Sequence, residues 1–194
     1  MGESPHLDPG PIDEVRTRAG EAPVSFFRWL AELVVVVATA FLLASAIKTY
    51  VVQPFVIPSG SMEPTLEIGD RVLVNKFVYR FSTPSPGDIV VFRRPASDVD
   101  YIKRVIAVGG QTVDVRNGAV FVDGRRLTER YIHGASTDPG SVGLPLLVPE
   151  GSVFLMGDNR TNSQDSRWFG AQTRSAVLGR AFVVYWPLAD GRVL

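Results

Sequence analysis

Three short segments place nucleophiles, bases and ion-pair partners beside runs that read as strands. The first is Pro58-Ser59-Gly60-Ser61-Met62-Glu63-Pro64-Thr65-Leu66, where two prolines and a glycine fix an irregular backbone around two serines. A serine on a rigid turn is placed as a nucleophile would be, but it needs a base. Without one the segment is only a capped turn. The second is Asp100-Tyr101-Ile102-Lys103-Arg104-Val105-Ile106-Ala107-Val108. On one strand, Lys103 shares a face with Tyr101 and Val105 and opposes Ile102, Arg104 and Ile106. A lysine held against a packed interior gives up its proton far more easily than an arginine, because burial disfavours the charged form. Lys103 is therefore a candidate general base, unless it extends its ammonium to solvent. The third, Gly157-Asp158-Asn159-Arg160-Thr161-Asn162-Ser163-Gln164-Asp165-Ser166-Arg167, follows the apolar run Val153–Met156. Its charges suit a hydrogen-bonded scaffold, with Asp158 and Asp165 available to pair with Arg104, Arg160 or Arg167.

Composition narrows what these segments can do. Cysteine is absent, which removes thiolate chemistry, disulfides and Cys-ligated metals. The two histidines, His6 and His133, rule out a three-His metal site. Any Ser-His-Asp triad would have to use His133, which falls in an irregular stretch. The remaining nucleophile–base combination is serine with lysine. Only three lysines, Lys48, Lys76 and Lys103, stand among 20 basic residues. Asp158, Asp165 and nearby oxygens form a rival metal site, but EF-hand spacing and its terminal glutamate are missing. The formal net charge of zero argues against a nucleic-acid partner.

The elements that must position these residues divide sharply. Residues 1–25 are rich in Pro, Gly and charge, and are expected to be a flexible tail. Residues 26–50 read as a membrane anchor. Leu33 to Ile47 lacks a charge, and extending the run back to Trp29 gives a helix of about 28 Å, close to the thickness of a hydrocarbon core. Arg16, Arg18 and Arg28 precede the run and Lys48 follows it, so the N-terminus is expected in the cytoplasm. Two other readings exist: a cleavable secretory signal ending at Ala44-Ser45-Ala46, and a buried core helix. The apolar residues just after the anchor, Val51-Val52 and Phe55-Val56-Ile57, are candidates to lie against lipid.

Residues 51–194 read as a β-rich unit outside the cytoplasm. Strands are expected at Asp70–Phe77, Asp88–Arg93, Tyr101–Val108, Thr112–Arg116, Ala119–Val122, Ser152–Met156 and Ala176–Trp186. Asn117-Gly118 and Asp123-Gly124 supply hairpin turns, and residues 133–151 read as an irregular loop. The expected fold is mainly β: curved antiparallel sheets or a partly open barrel, with a small inserted hairpin and loop subdomain at about 110–150.

Together the segments resemble the bacterial type I signal peptidases, membrane-bound Ser/Lys proteases. The resemblance rests on the anchor, P-S-G-S-M-E-P-T-L (58–66), G-D-I-V-V-F (87–92), Y-I-K-R-V-I-A-V-G-G (101–110) and G-D-N-R-T-N-S-Q-D-S-R (157–167), in the family's order. It implies Ser61 as nucleophile and Lys103 as general base, with the Ser59 hydroxyl joining the Ser61 N–H in an oxyanion hole. It further implies that Ser163 holds the lysine nitrogen, and that Asp165 and Arg167 form a supporting ion pair beside Asp158 and Arg104. No metal or cofactor is implied. The implied partners are signal-peptide-bearing preproteins and the lipid bilayer, and association with export machinery is compatible with it. The implied location is the plasma membrane, crossed once. Phe55, Ile57, Met62, Leu66, Tyr101 and Ile102 would line shallow pockets accepting small side chains, giving an Ala-X-Ala preference. The rival outside catalysis is a membrane-tethered β module that binds exported peptides.

Overall fold

The computed structural model describes residues 26–95 and 97–194, so the expected tail lies outside the described residues. Helix α1 (Phe26–Tyr50) continues without interruption through the apolar run. Its 21-residue segment Phe26–Ala46 is long and apolar enough to cross a membrane, and none of it is buried in protein. At 1.5 Å per residue it extends about 31 Å, matching a hydrocarbon core. The core-helix reading fails on that exposure. The chain divides between Phe41 and Leu42.

Residues 51–194 are mainly β, and the long runs of Val, Ile and Phe explain why. The strands are β1 (Val52–Val56), β2 (Arg71–Asn75), β3 (Ile89–Arg93), β4 (Asp100–Val108), β5 (Thr112–Arg116), β6 (Ala119–Val122), β7 (Arg125–Arg126), β8 (Leu146–Leu147), β9 (Ser152–Met156), β10 (Gln172–Thr173), β11 (Val177–Trp186) and β12 (Arg192–Val193). One helical turn, α2 (Ser166–Phe169), lies between β9 and β10. The larger sheet runs β1-β2-β11-β3-β4-β9-β10, with β12 on β11; the smaller runs β7-β6-β5-β8. Pairing is antiparallel throughout.

Period-two alternation sends β3 side chains into two cores. Ile89 and Val91 join Ile57, Met62, Leu66, Val72, Val74, Ile102, Ala181 and Val184. Val90 and Phe92 join Val105, Val153 and Leu155. Burial on both faces is why Ile-Val-Val-Phe reads as a continuous apolar run rather than an alternating one. A third core, with Ile106, Phe154 and Met156 of the larger sheet, takes in Val113, Val120 and Val148 of the smaller sheet and its flank.

Both expected hairpin turns form. Asn117 and Gly118 have φ of 51° and 76°, and Asp123 and Gly124 have 52° and 75°, the paired positive values of a type I′ turn. Two expectations need correction. Phe55 and Ile57 do not face outward toward lipid: β1 is a sheet strand, Phe55 packs on the first core and Ile57 is 1% exposed within it. The stretch 133–151 is not wholly irregular either: Leu146-Leu147 pairs with β5, and Thr137 is buried.

Candidate active site

The turn that carries Ser61 follows shortly after β1. Gly60–Met62 form one turn of 3₁₀ helix, preceded by Ser59 in extended conformation. Met62 and Leu66 are fully buried in the first core and hold the turn down like two pegs. The second half of the site comes from the middle of β4. That strand lies between β3 and β9, so Lys103 has neighbours on both sides. Lys103 is 3% exposed and Ser61 8% exposed. The Lys103 Nζ lies 2.7 Å from Ser61 Oγ and donates to the Ile102 carbonyl at 2.8 Å. The ammonium does not extend to solvent. Burial pushes its pKa down to about 8, against the opposing pull of Asp165 and Asp158.

The third segment leaves β9 and closes over both. Asp158 accepts from Arg104 Nε at 2.8 Å and Nη2 at 2.6 Å, and from Thr65 Oγ1 at 2.5 Å. One carboxylate thus ties the residue after Lys103 to the turn that carries Ser61. Asp165 accepts from Arg167 Nε and Nη2, both at 2.8 Å, and from the Gly157 N–H at 3.0 Å. Asp165 and Arg167 are essentially unexposed. Both carboxylates of the rival metal reading therefore end on guanidinium groups. No cluster of three or more metal-ligating acidic, His or Cys side chains occurs among the described residues.

Several positioning residues were not singled out from the sequence. Asn159 donates its side-chain N–H to the Gly60 carbonyl at 2.9 Å and its backbone N–H to the Ser61 carbonyl at 3.2 Å. The signal was present, since Asn159 sits in the polar segment, but polarity alone does not say which side chain reaches 99 residues back. Gly157 is a second case. A methyl group there would overlap the Ser61 carbonyl oxygen and the Ser163 hydroxyl. Space, rather than backbone conformation, requires glycine at this position. Gly157→Ala is expected to displace the Ser61 turn by a fraction of an ångström to an ångström, and to cut turnover about 100-fold. Steady-state cleavage, with circular dichroism confirming the fold, measures it.

Two expected placements are not found. Ser163 Oγ is buried with no hydrogen-bond partner, so the bond expected from it to the Lys103 amine is absent. The lysine nitrogen is directed to Ser61 and to its neighbour's carbonyl instead. Tyr101 is not with the other expected pocket residues. Neighbours on a strand face opposite ways. Ile102 joins Ile57, Met62 and Leu66, with Phe55 packed on that group, while Tyr101 stacks on Phe92 at 5.5 Å in the other core. Ser59 makes no side-chain cap on the turn that it precedes.

Chemically, the arrangement can move a proton between one buried hydroxyl and one buried amine. Neutral Lys103 would accept the Ser61 proton along the same 2.7 Å line on which its ammonium donates. At pH 7, a pKa of about 8 leaves roughly one amine in ten neutral, against fewer than one in a thousand for an ordinary lysine.

Known proteins resemble the chain over most of its length. Residues 30–186 match the family model described as signal peptidase, peptidase S26. A probable signal peptidase I-1 from Synechocystis is 42% identical over 170 residues, covering 83% of this chain and 85% of that protein. The signal peptidase I of Mycobacterium tuberculosis H37Rv is 37% identical, covering 81% and 73%. That of Bacillus amyloliquefaciens is 32% identical, covering 87% and 89%.

Proposed function

The chain belongs to the signal peptidases of the S26 family, and from that premise we propose that it removes signal peptides from preproteins with Ser61 as nucleophile and Lys103 as general base. The observation that carries this reading is the buried 2.7 Å contact between Lys103 Nζ and Ser61 Oγ. Ser61 Oγ attacks the scissile carbonyl while neutral Lys103 takes its proton. Lys103 then gives the proton to the leaving amine; in the second half the same lysine takes a proton from water as it attacks the acyl carbonyl, and hands that proton to Ser61 Oγ as the acyl group leaves as a carboxylic acid. The developing oxyanion is stabilised by the Ser61 backbone N–H and the Ser59 hydroxyl, each donor contributing about 3–4 kcal/mol. Asp158 and Asp165 hold the two halves of the site through Arg104 and Arg167.

Strand β1 stands at the end of the larger sheet and leads within a few residues to Ser61. A substrate segment adds beside it as an extended strand, with main-chain hydrogen bonds supplying affinity. Beneath it lie Phe55, Ile57, Met62, Leu66 and Ile102, already packed into the core. That floor leaves room for small side chains only, which favours Ala-X-Ala sites. Helix α1 crosses the plasma membrane once with the N-terminus cytoplasmic. Its substrates are held in the same bilayer, and sharing that plane raises effective concentration without new contacts.

The pH dependence of turnover tests the base. Lys103 works only when neutral, and its folded pKa is about 8. The rate should rise about tenfold per pH unit below that value and level off above it. A rate that is flat or falling between pH 6 and 8, in detergent with a preprotein substrate, would overturn the assignment of Lys103.

A further inference from the structure

Segment 129–140, whose residues from 133 onward read from the sequence as irregular loop, is gripped by Arg104, Arg160 and Arg167. Arg160 is 2% exposed, and both of its terminal nitrogens donate to the Glu129 carboxylate. Its Nη1 also donates to Thr137 Oγ1 at 2.9 Å. Arg167 Nη1 donates to the Asp138 carbonyl at 3.2 Å. Arg104 lies over the Tyr131 ring, with its guanidinium carbon 4.1 Å from the ring centre. The Tyr131 hydroxyl donates back to Glu129 at 2.9 Å, closing the circuit.

From these residues, contacts run inward to the reacting atoms. Arg160 Nε donates to the Gly157 carbonyl at 3.0 Å, fixing the turn whose next residues are Asp158 and Asn159. Asn159 holds the Gly60 and Ser61 carbonyls, and Asp158 holds Thr65. Arg104, whose Nε and Nη2 both donate to Asp158, has the Tyr131 ring against its guanidinium. A guanidinium held over a ring in this way loses little further freedom on forming its two bonds.

We infer that Glu129 and Tyr131 are positioning residues for the peptidase reaction, holding the Ser61 turn in register with Lys103 through Arg160 and Arg104. Neither touches the dyad. This inference rests on the proposed roles of Ser61 and Lys103. It also gives segment 129–140 a task in turnover. A displaced Ser61 turn misaligns attack without removing the surface on which substrate adds, so kcat should fall and KM should not change.

The test compares the full-length chain in detergent with Glu129→Gln, Tyr131→Leu and Tyr131→Phe, using a preprotein substrate and counting active sites by acylation. Ser61→Ala serves as control. Glu129→Gln and Tyr131→Leu should each lower kcat about tenfold with KM within twofold of wild type. Tyr131→Phe, which keeps the ring under Arg104, should recover to within threefold of wild type. Wild-type kcat in both Glu129→Gln and Tyr131→Leu overturns the inference. So does a loss confined to KM, or a Tyr131→Phe loss equal to that of Tyr131→Leu. If Tyr131→Leu does not fold, the near-isosteric Glu129→Gln decides alone. If Ser61→Ala cleaves as well as wild type, the roles of Ser61 and Lys103 fail instead.

Discussion

Lys103→Met is expected to abolish turnover, by about 10⁴-fold or more, and Ser61→Ala to do the same. Combining them should cost little beyond either alone, because the two groups act as one unit. The same double variant should fold more stably than wild type at neutral pH. The folded pKa of Lys103 is about 8 against an ordinary 10.5. Between those values the unfolded chain binds more protons than the folded one, so the contribution of this group to stability rises with pH across that window. Below about pH 8 the full penalty of a buried ammonium is present, about 3 kcal/mol for a shift of this size. Ser61→Ala/Lys103→Met removes it without leaving a hydroxyl lacking its amine, and the gain should disappear as pH rises from 8 toward 10.5. Lys103→Met alone gains less, because it leaves the Ser61 hydroxyl without its amine partner. Thermal melts at pH 7 and pH 10.5 measure the difference. A double variant less stable than wild type at pH 7 contradicts the assignment of burial cost to Lys103.

How much of this was legible in the sequence depended on whether the deciding contact was local. The hairpin turns at Asn117-Gly118 and Asp123-Gly124 were legible because positive φ is a property of the residues themselves. Elimination reached only the pairing of a serine with a lysine, since no cysteine and no suitably placed histidine competed, and it was the resemblance to type I signal peptidases that pointed to Ser61 and Lys103. The ion pairs Arg104–Asp158 and Arg167–Asp165 were partly legible, because their members sit in two dense polar segments. What was not legible was reach across the chain. Asn159 acts on residues 60 and 61, Arg160 on Glu129, and Arg104 on Tyr131, all through packing that no local pattern encodes. Residues 133–140 therefore read only as part of an irregular loop, and nothing singled out 129–132, although Glu129, Tyr131 and Thr137 meet Arg160 and Arg104. Tyr101 shows the opposite failure: strand alternation already separated it from Ile102, and one shared pocket for both conflicted with the period of the strand.

Asp165→Asn should separate the stabilising and the tuning roles of the buried pair. The change preserves shape but leaves the Arg167 guanidinium, 1% exposed, with neutral partners only: the Arg160 and Asp138 carbonyls and the new amide. An uncompensated buried charge costs about 3–5 kcal/mol. For a unit of this size that corresponds to a fall in Tm of roughly 10 °C. The Gly157 N–H would also face a weaker acceptor, or an amide turned the wrong way. The effect on the lysine has the opposite sign. Asp165 is the foremost of the charges that favour the Lys103 ammonium, and Arg167 disfavours it. With the carboxylate neutralised and the guanidinium kept, Lys103 gives up its proton more readily, so its pKa moves below about 8. The molecules that remain folded should therefore reach their plateau rate at lower pH than wild type, even as the protein melts earlier. Adding Arg167→Met removes the stranded charge, and should restore much of the lost stability while returning the rate profile part of the way toward wild type. A pH midpoint unchanged or raised in Asp165→Asn, measured below its melting temperature, would show that Asp165 does not act on Lys103 through its charge.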